Sequence, residues 1–224
     1  MKLLVALLCG FVSAGLAIAW LTWAASSPRF SKYLISEDPH RAIGDAELKK
    51  AAALNMVFSL ALIFSSAYAL QGYLFYDREV SLGRMVLEGV AVILIYDFAY
   101  YFVHRYAFHE WKLLRWAHAV HHAAQNPRCI DSFLLDPIET LLGLGLMFGS
   151  ILVVGGIHIY TFAPIFVAYT TLNVFNHGGL AFTFFPLKTI GVLAVKHDRH
   201  HHSMLSGNYA SITPLPDYVF GTLE

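Results

Sequence analysis

The sequence predicts an all-α integral membrane protein with about four transmembrane helices and a cytoplasmic, histidine-rich helical cap. Three observations predict it. The chain is 57% hydrophobic and 13% charged, a balance that soluble domains rarely show. Its apolar residues come in runs long enough to cross a hydrocarbon core of roughly 30 Å. Its histidines gather where those runs stop. The 224 residues read as one membrane-embedded domain, 1–224. A net charge of zero gives no electrostatic case for nucleic acid. Cys9 lies in an apolar run and Cys129 in a polar segment, so no disulfide framework is implied.

Leu3 to Ala25 is the first apolar run. A cleaved signal peptide with Lys2 as its basic end is the competing reading, but the run exceeds the usual h-region of roughly 7–15 residues, which favours a retained helix. Ser26 to Lys50 carries Pro28, Pro39 and Gly44 and reads as a loop leading into a short surface helix from Asp45 to Lys50, with Asp45 as N-cap. Ala51 to Phe75 is the second span and Met85 to Val103 the third, joined by the turn Tyr76-Asp77-Arg78-Glu79. A turn at Gln125 to Arg128 precedes Pro137, which suits the first position of a helix. Ile138 to Ile157 and Tyr160 to Phe175, separated by Gly155-Gly156, form a hairpin that enters and returns, counted as the fourth span and its returning half. Gly145 and Gly149 within it make a GxxxG, a weak signal for close helix packing. From Gly178 onward the chain reads as loop, an interfacial apolar patch from Phe182 to Val195, and a polar tail.

Orientation follows from the basic residues, because cytoplasmic loops carry the excess of Lys and Arg. Of fifteen such residues only Lys2, Arg78 and Arg84 fall on the far side, a split of 12 to 3 that places the histidine end in the cytoplasm.

The chemistry concentrates in DFAYYFVHRYAFHEWKLLRWAHAVHH, from Asp97 to His122, and in KHDRHHH, from Lys196 to His202. His118, His121 and His122 fall at i, i+3 and i+4, and His197, His200 and His201 repeat those offsets. On a helix such positions share a face. The two triplets can therefore aim six imidazoles at one point, a donor set suited to iron, copper, zinc or nickel rather than magnesium or calcium. His104 and His109 are five apart, about 140° on an ideal helix, and converge only at a helix end or a local unwinding. A single interfacial histidine is more often a hydrogen-bonded surface residue than a ligand. Repeated clusters of ionisable groups beside a bilayer, in a chain this apolar, weigh towards metal.

His177 ends the returning hairpin helix at the same membrane face and is placed as a ninth ligand, with Asn173 one turn earlier to hold it in one tautomer. Asp97 lies two turns before His104, and a carboxylate inside a span is costly. Its expected role is to accept the second N–H of a metal-bound imidazole. Pairing with Arg84 is the structural alternative. His40 in a proline-bearing loop, His158 at the far membrane face and His202, rotated away from His201, are excluded.

The ordered set His-x4-His, His-x2-His-His, Asn-His, His-x2-His-His resembles the fatty acid hydroxylase and sterol desaturase superfamily of membrane non-haem di-iron oxygenases. The DFAYYFVHR run and the closing NYASITPLPDYVFGT are similar to that family too, so the resemblance covers Asp97 to Thr222, a catalytic region of 97–222. It implies two iron ions held by His104, His109, His118, His121, His122, His177, His197, His200 and His201. It further implies O2 as cosubstrate, a lipid such as a fatty acyl, sterol or carotenoid chain as substrate for hydroxylation or desaturation, and electrons from NAD(P)H. The chain has no room for an electron-carrier domain, so a separate redox protein is the expected partner. Its short length and the lack of a retrieval signal favour a bacterial inner membrane over the endoplasmic reticulum. A membrane metal transporter and a bis-histidine haem protein are the rival readings. A transporter would hold its ion near the bilayer midplane, and a haem protein would place histidines inside separate spans.

Overall fold

The computed structural model describes residues 1–224. Four helices are long and apolar enough to cross a membrane. They are α1 (Lys2–Ser26), α2 (Asp45–Ala69), α4 (Leu82–Phe102) continued by a π-helical stretch (Val103–Glu110), and α6 (Pro137–Val154). The predicted surface helix at Asp45 and the second span are one helix, because nothing between Lys50 and Ala51 breaks it. Gly44 rather than Asp45 occupies the N-cap, which puts Asp45 and Glu47 in the first turn beside the positive end of the helix dipole. A single turn, α3 (Gln71–Leu74), and a two-residue strand, β1 (Phe75–Tyr76), complete the far end of α2.

α6 turns back through Gly155 and Gly156 into β2 (Ile157–His158) and α7 (Ile159–Asn176). Both glycines hold positive φ, 87° and 83°, a conformation that side chains disfavour. β1 and β2 pair in parallel, Phe75 opposite Ile157 and Tyr76 opposite His158. Beneath them the buried Glu88 accepts from Arg84 Nε (2.7 Å), the His158 backbone N–H (3.0 Å) and the Tyr76 hydroxyl. Lys2 joins this end through Asp77 (2.7 Å).

α1 buries one stripe, Leu7, Gly10, Ala14, Ala17, Leu21 and Ala24, at the spacing of a single helix face. That stripe lies along α7 and runs parallel with it, from Lys2 over the Tyr160 ring to Leu21 beside Gly178. A methyl group at Gly10 would collide with the Phe166 ring, and Thr170 Oγ1 reaches the Gly10 carbonyl at 3.1 Å. The close helix approach is here rather than at Gly145 and Gly149, where an added Cβ would meet nothing within 4 Å. The main core joins α1, α2, α4, α6 and α7 through Leu7, Ile63, Tyr96, Met147, Phe162 and Phe166. Each such side chain contributes roughly 1.5–3 kcal/mol on burial.

The other end carries the cap. It consists of the π stretch, α5 (Arg115–His121), a 3-10 turn (Cys129–Phe133), α8 (Lys188–His201) and α9 (Leu215–Phe220). The segment read as an interfacial patch is largely α8, whose apolar first half packs Leu193 and Ala194 inward and delivers the second histidine triplet at its last turn. Both cysteines are free.

Candidate metal centre

The π stretch solves the spacing problem of His104 and His109. Its wider turn closes hydrogen bonds five residues apart, so positions that diverge on an α-helix stack on one face. The two rings come to 5.0 Å between centroids. His177 is the C-cap of α7, and the two triplets sit at the ends of α5 and α8.

All nine histidines singled out in the sequence come together, in two groups rather than at one focus. His104, His109, His118, His122 and His200 form the first; His121, His177, His197 and His201 form the second. Within each group the ligand nitrogens lie within 4.8 Å of one another. Each triplet is divided, because i and i+4 are only about 40° apart on a helix while i+3 lies about 60° to the other side. α5 gives His118 and His122 to the first group and His121 to the second; α8 gives His200 to the first and His197 and His201 to the second. The groups are adjacent, with the His122 and His201 rings stacked at 4.8 Å.

The hydrogen bonds set the ring orientation. Nδ1–H donates to a backbone carbonyl from His104 (Tyr209, 2.6 Å), His109 (Met204, 2.8 Å), His121 (Leu134, 3.1 Å), His177 (Asn173, 2.7 Å), His200 (Gly207, 2.7 Å) and His201 (Ala124, 2.8 Å). His118 Nδ1 donates to Glu139 Oε1 at 2.9 Å. These partners assign the proton to Nδ1 and leave Nε2 with a bare lone pair. His122 and His197, whose Nδ1 atoms have no acceptor, put Nε2 at 2.9–3.1 Å from the Nε2 of His118, His200, His177 and His201. Two pairs with both protons assigned to Nδ1, His104–His118 at 2.9 Å and His121–His177 at 3.1 Å, also meet Nε2 to Nε2. His109 Nε2 is buried with no partner at all. Lone pair against lone pair is repulsive unless a cation lies between them. Nitrogens about 3 Å apart suit right-angle positions around an ion bound at about 2.1 Å. The donor set therefore fits two metal ions.

Burial reinforces this. It pushes the His122 imidazole down to about 3 and His177 to about 4. Burial, followed by the neighbouring imidazoles, holds His118, His121, His197, His200 and His201 well below their ordinary value. Near neutral pH these rings are uncharged, the form that binds metal.

Two expectations for the surrounding residues change. Asp97 touches no histidine and does not pair with Arg84, which binds Glu88 instead. Its carboxylate accepts from the backbone N–H groups of Ser211 (3.1 Å), Ile212 (2.8 Å) and Thr213 (2.9 Å) and from Thr213 Oγ1 (2.6 Å). Seven residues of helix put it about 10 Å along the axis from His104, and the loop before α9 fills that gap. Asp97 thus acts at one remove, by holding the loop whose Tyr209 carbonyl receives His104. Asn173 does fix the His177 ring, but through its backbone carbonyl, so its side chain is not what matters. Asn176 Nδ2 donates to the Ser211 carbonyl at 2.9 Å.

The residue missed in the sequence is Glu139. An acidic residue in the first turn of an apolar helix has a ready explanation in the helix dipole, which hides its second role. Its burial, 4% exposed, was the signal that only packing could provide. The excluded histidines lie elsewhere. His158 Nδ1 accepts the Tyr160 N–H at the far end, His202 Nε2 lies 3.3 Å from Asp198, and His40 is exposed in its loop.

Below the histidines a mostly apolar cavity of about 310 Å³ runs between α1, α2, α4, α6 and α7. His104, His121, His177 and His197 form its inner end.

The Fatty acid hydroxylase family model matches residues 89–222. The chain is 31% identical over 206 residues to methylsterol monooxygenase 1 of Rattus norvegicus, covering 87% of this chain and 68% of that protein. It is 32% identical over 143 residues to a very-long-chain aldehyde decarbonylase of Oryza sativa subsp. indica, covering 62% and 53%. Against methylsterol monooxygenase 1 of Gallus gallus it is 32% identical over 137 residues, covering 60% and 44%. The chain thus spans about two thirds of the rat protein's length and about half of the other two. No solved structure matches the chain. With the matched region enclosing all nine clustered histidines, the chain belongs to the fatty acid hydroxylase and sterol desaturase superfamily, as a membrane-embedded member with two histidine groups able to hold metal.

Proposed function

We propose that this protein oxidises an unactivated C–H bond of a membrane lipid with O2, at a di-iron centre held by the nine histidines. The observation that carries the reading is the conjunction of two converging sets of neutral imidazoles with an apolar cavity ending on four of them. Written as hydroxylation, the balance is R–H + O2 + two electrons + two protons → R–OH + H2O. The electrons come from NAD(P)H through a separate carrier protein.

Two iron ions bound here would supply the oxidising chemistry. The chain's own residues do the rest. The backbone carbonyls and Glu139 lock seven rings with Nε2 inward. Ring orientation set by such partners decides both metal affinity and ligand basicity. The apolar wall binds the hydrocarbon and keeps water from the inner end. Both relatives' names, a methylsterol monooxygenase and a very-long-chain aldehyde decarbonylase, speak of large apolar molecules. A sterol or long-chain lipid is accordingly the proposed substrate class.

The rivals fit less well. Nitrogens 2.9–3.1 Å apart leave no space for a porphyrin between axial imidazoles, and the apolar cavity is a poor path for a cation. The test is anaerobic reconstitution with iron, then O2 and reductant, and mass spectrometry of the membrane lipids. A gain of one oxygen atom identifies a hydroxylase and a loss of two hydrogens a desaturase. No change in any lipid with both metal sites filled defeats the proposal.

A further inference from the structure

We infer that the gap between α1 and α2 is a lateral portal, through which the lipid substrate passes from the hydrocarbon core of the bilayer into the cavity. The inference rests on the lipid-oxidation reading above. Its starting point is where the cavity wall meets the surface. Of the residues that line the cavity, only Gly15 on α1 and Met56 and Leu60 on α2 are exposed. Towards the cap every lining residue is buried or half-buried, so the cavity has its outlet between these two helices.

The depth of that outlet identifies what enters. Gly15 is eleven residues from the cap end of α1 at Ser26, and Met56 is six residues past Lys50, the last charged residue of α2. At 1.5 Å per residue the two lips lie about 16 Å and about 9 Å beyond those points, within a hydrocarbon core of roughly 30 Å. The opening thus faces lipid tails and not water or headgroups. What passes it is an apolar chain or ring already dissolved in the membrane.

The helix packing explains why the gap exists. α1 is committed to α7 by its small-residue stripe, and α2 is tied to α6 by Asn55, whose side chain accepts from Thr140 Oγ1 at 2.7 Å. The two helices touch through Phe11 and Phe64, stacked at 6.0 Å and further from the cap than the lips. That pair closes the floor, and above it no ring pair or hydrogen bond joins the two helices. Gly15 sets the width: a Cβ built there meets nothing within 4 Å, so any larger side chain projects into the opening. Met56 on the opposite lip is an unbranched, adaptable side chain suited to a gate that must pass bulky hydrocarbon.

The experiment uses the full chain, iron-loaded, in phospholipid nanodiscs with a palmitic acid analogue bearing a mid-chain diazirine. After illumination the labelled peptides are mapped for wild type, Gly15→Trp, Leu60→Trp and the control Leu16→Trp, an exposed neighbour outside the wall. In wild type the label falls on the cavity face of α6 and α7, around Gly143 and Tyr169. With illumination immediately after the analogue is added, before entry reaches equilibrium, the label in Gly15→Trp drops by about tenfold, because entry then requires helix movement. Leu60→Trp reproduces the loss from the opposite lip, and Leu16→Trp retains the label. Iron content stays equal in all four, which removes misfolding as the cause. Cavity labelling that persists in both portal variants, or that is absent from wild type, overturns the inference. Portal-dependent labelling without any oxidised lipid would sink the oxidation reading while leaving the portal standing.

Discussion

Glu139 Oε1 accepts the Nδ1–H of His118 at 2.9 Å, and this is the one carboxylate contact made by any of the nine clustered imidazoles. Both groups are buried, and the second oxygen of Glu139 has no partner. A carboxyl group behind an imidazole fixes the ring and, when ionised, raises its donor strength, so Glu139 is placed to tune His118 within the five-histidine group. Glu139→Gln keeps the shape but weakens the acceptor. Iron affinity of that group should fall by roughly 10–100-fold, read by titration of the metal-free protein. Unchanged affinity would reduce Glu139 to a helix N-terminal acid.

Loss of a single imidazole should be felt group by group. His200→Ala removes a member of the first group and His121→Ala one of the second. Metal analysis of each should show less iron than wild type, and turnover should vanish in both. His40→Ala leaves iron untouched. His158→Ala also leaves it untouched, but removes the cap of α7 and costs about 1 kcal/mol of stability. Full iron in His121→Ala would mean that the second group is not a metal site.

Asp97→Asn separates anchoring from ligand support. The carboxylate receives three backbone N–H groups and one hydroxyl, and hydrogen bonds to a charged group contribute roughly 1.5–3 kcal/mol each. An amide can accept only at its oxygen, so thermal unfolding of the metal-free protein should shift down markedly. Its iron affinity should fall less than that of Glu139→Gln. The reverse order would show that Asp97 reaches the imidazoles after all.

The metal-free protein should lose stability as pH falls. The His122 and His177 imidazoles titrate near 6.5 when unfolded, and at about 3 and about 4 when folded. Their folded values are depressed, so the unfolded chain binds more protons across that interval. The contribution is fully present above pH 6.5 and is lost on descending towards 4, at about 1.4 kcal/mol per pH unit for each ring. Bound metal, which needs the neutral ring, should move the onset of unfolding to lower pH. Denaturation midpoints across this range, with and without iron, check the sign. A midpoint independent of pH in the metal-free protein would refute the burial argument.

The orientation prediction rests on charge. Lys2, Arg78 and Arg84 share the far end, where Lys2 pairs with Asp77 and Arg78 covers the Tyr76 ring, while the other twelve basic residues lie towards the cap. A cysteine placed at Ser203 should react with an impermeant reagent only from the cytoplasmic face. Labelling only from the opposite face would invert the topology.

Span lengths and the identity of the clustered histidines were legible in the sequence, because hydropathy and helical spacing are local properties of the chain. So was the need for an irregular turn between His104 and His109, since five residues cannot share a face on an α-helix. What the sequence left open is decided by contacts across long separations. Spacing within each helix separates i+3 from i and i+4, but which imidazoles each side meets is decided by where the ends of α5, α7, α8 and the π stretch are brought together. Asp97 serves the loop at Ser211 to Thr213, more than a hundred residues away, because that loop and not an imidazole fills the space beside it. Glu139 backs His118 because α6 begins beneath α5, and a first-turn acid looks the same in sequence whether it meets water or a ligand. Local periodicity told which side chains share a face; only the packing of one helix on another told what that face meets.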